Sequence, residues 1–277
     1  MTLAELNSLI ISSLTPSLGA AEAKATARLL LEDDLNVSPT VLLTRGDRTV
    51  EPETEARFRK YIDRIASGEP PQYVIGKARF MGMDFKVSRA TLIPRPETAQ
   101  LVDIVVDYAA QRHDLKILDV GTGSGCIAIA LARAIPFSDV TAIDISDEAL
   151  SIARQNADAL RAKIDFVKAD ILNDGFKPSQ DFDIVVSNPP YIAASERKDM
   201  ERRVTDFEPA EALFVPDDDP LLFYRTIVDK IKAKAYFFEI NPLFAHSLRE
   251  MLINKGFDCE LRADSFGKTR FAISKNM

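Results

Sequence analysis

The sequence predicts an α/β fold in which helices cover both faces of a mostly parallel sheet. From residue 116 onward, short apolar runs alternate with longer runs of helical periodicity, the pattern of repeated strand–helix units. The last two strand candidates have no helix between them and connect near Gly267, which predicts an antiparallel pair at an edge. The predicted strands are 116–120, 139–143, 164–167, 182–187, 234–240, 257–262 and 269–274, and the predicted helices are 125–134, 147–161, 219–232 and 242–255.

Residues 1–70 are predicted to form a small helical domain. Leu6 and Ile10 lie on one face of a first helix, and Leu30 and Leu31 lie on one face of a second. No candidate catalytic group occurs in this segment. It is either a module that docks the substrate or a stabilising cap, and the sequence leaves both open.

Residues 71–90 are predicted to form a β-hairpin linker, followed by a catalytic domain over 91–277. Phe80, Phe85 and Val87 have strand-like spacing, and Gly82 marks a turn. The run Leu92–Thr98 then leads into a helix that begins near Pro96, with Glu97 at its positive end. Arg95 and Glu97 are either placed for function or belong to an ordinary helix start.

A glycine turn follows the strand at 116–120. Glycine lets the backbone turn sharply and approach a ligand with no Cβ in the way, and the helix that follows offers free N–H groups to an anion. The third glycine comes one position too early for the dinucleotide fingerprint, so the spacing favours another nucleoside ligand. The predicted ligand-binding residues of this turn are Gly121, Thr122, Gly123, Ser124 and Gly125.

The next two strands also end in residues suited to a nucleoside. Asp144 ends one strand, where a carboxylate can accept hydrogen bonds from both ribose hydroxyls. Asp170 and Ile171 follow the other, where they can contact an adenine amino group and ring face. Each position alone is ambiguous, but the carboxyl ends of parallel strands lie at one edge of the sheet.

The run Ser187–Tyr191 follows the fourth strand of this series. Because proline lacks an N–H and fixes φ, two prolines end the strand and place Asn188 in a stiff turn. The oxygens of Asn188 and Pro189 can accept hydrogen bonds from a planar –NH2 group, with Pro190 holding the backbone and the Tyr191 ring beside it. This turn therefore predicts an amide or an exocyclic amine as the nucleophile.

Composition narrows the class of protein. The 277 residues are 46% apolar with a formal net charge of −7, which fits a globular chain and argues against a protein that grips a long stretch of nucleic acid. The two cysteines and two histidines show no metal-ligand spacing, so no metal site is expected. No run approaches the length of a membrane span, and we expect a cytoplasmic monomer that binds neither membrane nor nucleic acid.

Together, the glycine turn, Asp144 and the Asn-Pro-Pro-Tyr run resemble the class I S-adenosylmethionine-dependent methyltransferases, whose Rossmann-like sheet usually ends in an antiparallel strand. Over almost its whole length the chain resembles the HemK/PrmC family, which methylates glutamine N5 in the Gly-Gly-Gln motif of peptide chain release factors. The further runs that carry this likeness are Gly68–Gly76, Leu92–Thr98, Phe207–Pro209 and Ala212-Leu213, with Asp264, Gly267 and Arg270 in the final hairpin.

The resemblance implies the cofactor S-adenosyl-L-methionine, a release factor as partner, and N-terminal helices that recognise it. It implies catalytic roles for Asn188, Pro189 and Tyr191, substrate contacts from these three and Pro190, and cofactor contacts from Asn188, the glycine turn, Asp144, Asp170 and Ile171. Two positions depart from the family: Asn241-Pro242 stands where Gly is usual, and Ile171 stands where an aromatic residue is common.

Two other functions share parts of this pattern. An adenine N6-methyltransferase acting on DNA or RNA has the same core and the same turn, but it must grip phosphates and hold a flipped base, which a net charge of −7 does not favour. A methyltransferase-like fold retained only for binding would be expected to lose the glycine turn, Asp144 or Asn188, and all are present.

Overall fold

The computed structural model describes residues 1–276 and divides the chain into two units. The N-terminal unit comprises Met1–Lys77 together with Glu201–Phe207, a short segment from the middle of the chain. The second unit comprises Ala78–Met200 and the chain from Glu208 onward. Among the described residues, none of the helices combines the length and the apolar character needed to cross a lipid bilayer.

The N-terminal unit is helical, as the apolar spacing predicts. Thr2 caps the first helix through a reciprocal pair of hydrogen bonds with Glu5, and Leu6, Ile10 and Leu14 bury the face that this spacing creates. Its helices are α1 (Leu3–Leu18), α2 (Ala20–Leu35), α3 (Pro39–Thr44), α4 (Pro52–Ala66) and α5 (Pro71–Ile75).

The predicted hairpin forms between β1 (Lys77–Phe80) and β2 (Met83–Lys86). Met81 and Gly82 both have positive φ, as a tight two-residue hairpin turn requires. Helix α6 (Pro96–Ala109) follows, with a proline at its start and Glu97 in its first turn.

The central sheet has seven strands and confirms the predicted alternation. Its strands are β3 (Lys116–Val120), β4 (Asp139–Asp144), β5 (Asp165–Lys168), β6 (Phe182–Ser187), β9 (Ala233–Glu239), β10 (Phe257–Ala263) and β11 (Thr269–Asn276), while β7 (Ile192–Ala193) and β8 (Phe214–Val215) form a separate two-stranded pair. The order in the sheet is β10-β11-β9-β6-β3-β4-β5. Strand β11 runs antiparallel to both neighbours, so the final strand lies between β9 and β10, and β10 forms the edge.

Helices connect these strands and cover both faces of the sheet. They are α7 (Cys126–Ala134), α8 (Asp147–Leu160), α10 (Leu222–Lys230) and α11 (Ala245–Asn254), together with α6; the short α9 (Arg202–Thr205) belongs to the N-terminal unit. Alternate residues of β6 point to opposite cores: Ile184 and Val186 pack with α6 and α7, whereas Val185 packs with α10 and α11. The predicted helix at 242–255 begins later, because Pro242–Phe244 form a 3₁₀ turn capped by the Asn241 side chain.

The direction of strand addition reverses between β3 and β6. From β3 the chain adds β4 and β5 on one side and then crosses back to place β6 on the other. Because both neighbours are parallel strands with helices on opposite faces, a crevice opens at their carboxyl ends, which is where ligands bind in sheets of this type.

Candidate active site

A cavity of about 440 Å³ lies at this crevice and belongs entirely to the second unit. It brings together ten of the twelve residues that the sequence marks for the site. Those ten are Gly121, Thr122, Gly123, Ser124, Asp144, Asp170, Ile171, Asn188, Pro189 and Pro190. The other two, Gly125 and Tyr191, lie outside the lining formed by the described residues.

The glycine turn faces the cavity at two of its three glycines. Gly121 and Gly123 have φ of 74° and 54°, and a Cβ built at either would meet no atom of the described chain within 4 Å. Gly125 also has positive φ, at 81°, and in addition a Cβ there would lie 3.2 Å from both Ala153 Cβ and Ile129 Cδ1. The absence of a Cβ therefore lets α7 pack closely against α8.

Asp144 is tied to the glycine turn from the neighbouring strand. Its Oδ2 accepts the Gly123 N–H at 2.8 Å and its Oδ1 accepts the Ser146 N–H at 2.9 Å. Burial raises the pKa of this carboxyl, while these N–H donors act to lower it. A carboxylate has about four acceptor positions, so each oxygen can still accept a hydroxyl from the cavity.

Asp170 and Ile171 form the wall after β5. Asp170 Oδ1 accepts the Leu172 N–H at 2.8 Å, which fixes a tight turn. The Ile171 side chain is buried against the cavity, and its carbonyl accepts a hydrogen bond from Lys230 Nζ at 3.0 Å. At this position the resemblance implies that an aromatic residue is common. Ile171 offers an aliphatic surface instead, which cannot stack as an aromatic ring does.

The Asn-Pro-Pro-Tyr turn is held by a chain of buried hydrogen bonds. Asn188 Nδ2 donates to Thr98 Oγ1 at 3.2 Å, and the Thr98 hydroxyl donates to Glu239 Oε2 at 2.8 Å. The Tyr191 hydroxyl donates to the other oxygen, Glu239 Oε1, at 3.0 Å. Burial and the neighbouring Glu239 charge raise the pKa of Tyr191, so this phenol stays a neutral hydrogen-bond donor. Beneath the turn, the buried Ser187 hydroxyl donates to the Val120 carbonyl at 2.7 Å and ties β6 to β3.

Asn241 holds the same turn from the end of β9. Its Nδ2 donates to the Tyr191 carbonyl at 3.2 Å and to Glu196 Oε1 at 2.9 Å, and its Oδ1 accepts the Leu243 N–H at 3.1 Å. The sequence left the role of this departure from the family open. In the structure, the asparagine anchors the backbone that follows the two prolines.

An ion pair closes one side of the cavity. The buried Glu208 accepts hydrogen bonds from Arg95 Nη2 and, at 3.4 Å, from the Ile93 N–H. Arg95 lines the cavity and also precedes the first residue of α6, so its position favours a functional placement without excluding an ordinary helix start. Glu97 lies in the first turn of α6, as expected for an ordinary helix start.

The sequence analysis missed Thr98, Glu208, Glu239 and Asn241 as site residues. Asp144 was predicted as a site residue because it is a polar residue at the end of a buried strand. Glu239 ends a buried strand in the same way and could have been predicted from the same pattern. Thr98 offered no comparable signal, because a threonine in a helix is ordinary until its partner is known.

Two family descriptions match the chain. Residues 11–76 match the PrmC N-terminal domain, and residues 100–207 match the Methyltransferase small domain.

Individual relatives cover most of the length. The chain is similar to the release factor glutamine methyltransferase of Bacteroides thetaiotaomicron, with 41% identity over 90% of this chain and 91% of that protein. It is similar to the protein of the same name from Bacillus subtilis, with 35% identity over 91% of each chain. Among solved structures, the hMettl16 catalytic domain in complex with MAT2A 3′UTR hairpin 6 has a TM-score of 0.56 at 15% identity, covering 92% of this chain and 81% of that one. That likeness shows the fold.

Proposed function

This chain belongs to the family of release factor glutamine methyltransferases, and on that premise we propose which of its residues handle the substrate amide. The enzyme transfers a methyl group from S-adenosyl-L-methionine to the side-chain nitrogen N5 of the glutamine in the Gly-Gly-Gln motif of peptide chain release factors. The observation that carries the assignment of roles is Asn188, whose amide lines the cavity beside the glycine turn and Asp144.

The residues around the cavity fit S-adenosyl-L-methionine, which supplies an electrophilic methyl group on a positively charged sulfur. The open faces of Gly121 and Gly123 leave room for its methionine portion against the backbone of the turn. Asp144 has acceptor positions left for the two ribose hydroxyls. Asp170 and Ile171 offer an acceptor for the adenine amino group and an apolar wall for the ring. Thr122 and Ser124 complete the turn, and Gly125 supports it through packing.

Asn188 and Pro189 hold the substrate nitrogen. With Asn188 Nδ2 donating to Thr98, the amide oxygen is the end available to accept a hydrogen bond from the substrate –NH2. The Pro189 carbonyl accepts the second, and Pro190 keeps the turn rigid. Both acceptors are neutral oxygens, so their contribution is to aim the nitrogen and to stabilise positive charge as it develops there.

Tyr191 forms the side of this substrate position. Its hydroxyl is fixed by Glu239 and its carbonyl by Asn241, so the residue is held at both ends. A ring that cannot swing away can pack against the flat amide of glutamine and keep water from it.

The release factor is the protein partner, and we propose that the N-terminal helices dock it. The boundaries 1–70, 71–90 and 91–277 stay a prediction for the docking domain, the linker and the catalytic domain. A monomer in the cytoplasm, with no membrane and no direct nucleic-acid contact, fits an enzyme whose substrate is a translation factor and whose net charge is −7.

Asn188→Ala tests the assignment. Losing one preorganised contact at a reacting centre costs roughly 10²–10³ in kcat, so we expect a loss of that order in single-turnover methylation of release factor at saturating cofactor. Asn188→Asp is the matched variant, because it keeps the shape and an acceptor oxygen, and it should retain more activity than Ala.

Two outcomes would overturn this assignment. A near-wild-type rate for Asn188→Ala would remove Asn188 from the positioning of the amide. An Asp variant no better than Ala would show that the N–H of Asn188 matters, and not its oxygen. Calorimetric titration with S-adenosyl-L-methionine provides the control that the cofactor site is intact.

A further inference from the structure

We propose that Glu239 is a positioning residue, which acts through Thr98 to keep the oxygen of Asn188, and not its –NH2, facing the substrate. This inference rests on the proposed role of Asn188 as an acceptor for the substrate amide. It assigns a second function to a buried carboxylate that does not line the cavity and that also holds the Tyr191 hydroxyl.

The fold brings these groups together from three elements. Phe238 of β9 lies beside Ser187 of β6 in the parallel register, so Glu239 stands at the level where the Asn-Pro-Pro-Tyr turn begins. Thr98 comes from the first turns of α6 and is 3% exposed, and Glu239 is 2% exposed. A carboxylate this deeply buried is costly unless donors surround it, and here two hydroxyls fill that role.

The direction of the hydrogen bonds follows from the charge on Glu239. An ionised carboxylate can only accept, so the hydrogens of the Thr98 and Tyr191 hydroxyls are both committed to it. Thr98 Oγ1 then has only lone pairs left for Asn188, and lone pairs can pair only with the Nδ2 hydrogens. Glu239 thus fixes which end of the Asn188 amide points into the cavity.

The two hydroxyl donors and a nearby positive charge offset part of the effect of burial on Glu239. Burial, the largest influence, and the nearby Glu97 raise the pKa of Glu239, whereas the hydrogen bonds from Thr98 and Tyr191 and the charge of Arg270 limit that rise. Without the carboxylate, the Thr98 hydroxyl would be free to donate to Asn188, and the amide would be free to turn by 180°. The –NH2 of Asn188 would then face the –NH2 of the substrate. Two donor groups cannot form a hydrogen bond with each other, so the substrate nitrogen would not be held.

Thr98→Val and Thr98→Ser test this chain of contacts on the full-length enzyme. Valine has nearly the shape of threonine but cannot accept from Asn188, whereas serine keeps the hydroxyl. We expect kcat for release factor to fall about 10–100-fold in Thr98→Val, short of the 10²–10³ for losing a contact outright. Thr98→Ser should restore most of it, with little change in KM or in calorimetric affinity for S-adenosyl-L-methionine. Thr141→Val, a buried threonine of β4 outside the cavity lining, is the matched control and should leave kcat unchanged.

The decisive measurement is a double-mutant cycle with Asn188→Ala. If Thr98 acts through Asn188, then Thr98→Val should slow the wild-type enzyme but have little further effect on the Asn188→Ala enzyme. Glu239→Ala also releases the Tyr191 hydroxyl, so it should slow the Asn188→Ala enzyme, but by a smaller factor than it slows the wild type. Glu239→Ala is scored only if its far-ultraviolet circular dichroism and cofactor affinity match the wild type; the Thr98 variants decide the question if it does not fold.

The possible failures are distinguishable. Full activity in Asn188→Ala would remove the proposed role of Asn188 and the present inference with it. A slow Asn188→Ala enzyme together with a wild-type rate in Thr98→Val would overturn the inference and leave Asn188 in place. Losses that multiply in the double mutants would show that Thr98 acts on the substrate or cofactor directly and not through Asn188.

Discussion

At the scale of single residues, Asp119 shows how the glycine turn is attached to the sheet. It is fully buried at the end of β3, where its Oδ2 accepts the Thr122 hydroxyl at 2.6 Å and the Ala128 N–H at 3.3 Å. Its Oδ1 has no hydrogen-bond partner among residues 1–276. Burial is the main reason that the pKa of this carboxyl rises to about 7, against an ordinary value of about 3.9.

A raised pKa in the folded state makes stability depend on pH. Because the fold favours the protonated form of Asp119, its contribution is fully present below about pH 4 and is lost as the pH rises through about 7. Asp119→Asn removes this titration while keeping an oxygen for Thr122 and Ala128. Since 1 kcal/mol corresponds to about 2–4 °C in chains of roughly this size, we expect the Tm of the wild type to fall several degrees further than that of the variant between pH 5 and pH 8.5.

Thermal unfolding of the ligand-free proteins across that range measures the difference. Parallel Tm curves for Asp119→Asn and wild type would show that Asp119 does not titrate there. Using the difference between the two proteins cancels the titration of all other groups that they share.

At the scale of elements, the carboxyl end of β9 supports the Asn-Pro-Pro-Tyr turn, although the turn itself follows β6. Glu239 and Asn241 stand two positions apart and bind the hydroxyl and the carbonyl of Tyr191. The 3₁₀ turn Pro242–Phe244 holds Asn241 in place through the Leu243 N–H. One strand end thus determines the position of the functional residue on its neighbour.

Asn241→Ala should loosen this support. It removes the donor to the Tyr191 carbonyl and one of the two donors to Glu196 Oε1, which keeps the Ala193 N–H. An unsatisfied buried polar group costs about 1–3 kcal/mol. We expect a lower Tm and a lower kcat for release factor, with unchanged affinity for S-adenosyl-L-methionine, because Asn241 does not line the cavity formed by the described residues.

Asn241→Asp separates the two functions of the side chain. Aspartate still accepts the Leu243 N–H and keeps the 3₁₀ turn, but it has no N–H for Tyr191. The Asp variant should therefore be at least as slow as Ala, and its Tm should not rise above that of Ala, because its second oxygen faces the Glu196 carboxylate and the Tyr191 carbonyl. If Asn241→Asp has wild-type kcat, the donor to Tyr191 is not what the turn requires.

At the scale of the whole molecule, the N-terminal unit takes in a segment from far along the chain. Glu201–Phe207 belongs to it, and Arg203 in that segment forms an ion pair with Glu22 of α2. The Phe207 ring comes within 3.7 Å of the Cβ position at Gly68. A deletion of residues 1–70 therefore removes the helices and also the partners of this segment.

We expect the deletion of residues 1–70 to abolish most methylation of folded release factor, while cofactor affinity and activity on a short glutamine peptide persist. The reason is that the cavity lies entirely in the second unit. Glu22→Ala is the control, because it breaks the Arg203 pair and keeps the helices. Equal loss on folded protein and peptide in the deletion, with Glu22→Ala unaffected, would make the unit a stabilising cap and not a docking surface.

The sequence by itself determined the order and type of the main elements, although not of the short α5, β7 and β8, and the two turns that line the cavity. Alternating apolar runs fixed the strands to within one or two residues, because burial on both faces of a parallel sheet leaves a local pattern. The glycine turn and the Asn-Pro-Pro-Tyr run could also be recognised in the sequence, because limits on φ and missing N–H groups act within a few residues.

Only the tertiary structure decided which side chains meet. Thr98 and Glu239 are 141 positions apart, Arg95 and Glu208 are 113 apart, and Asn188 lies 90 positions from Thr98. Their contact depends on β6 lying between β3 and β9, and on α6 packing over that part of the sheet, which no local pattern encodes. Gly125 gives a second example. The sequence predicts a glycine that contacts the ligand, and only the structure shows that its lack of a Cβ also makes room for the neighbouring helix α8.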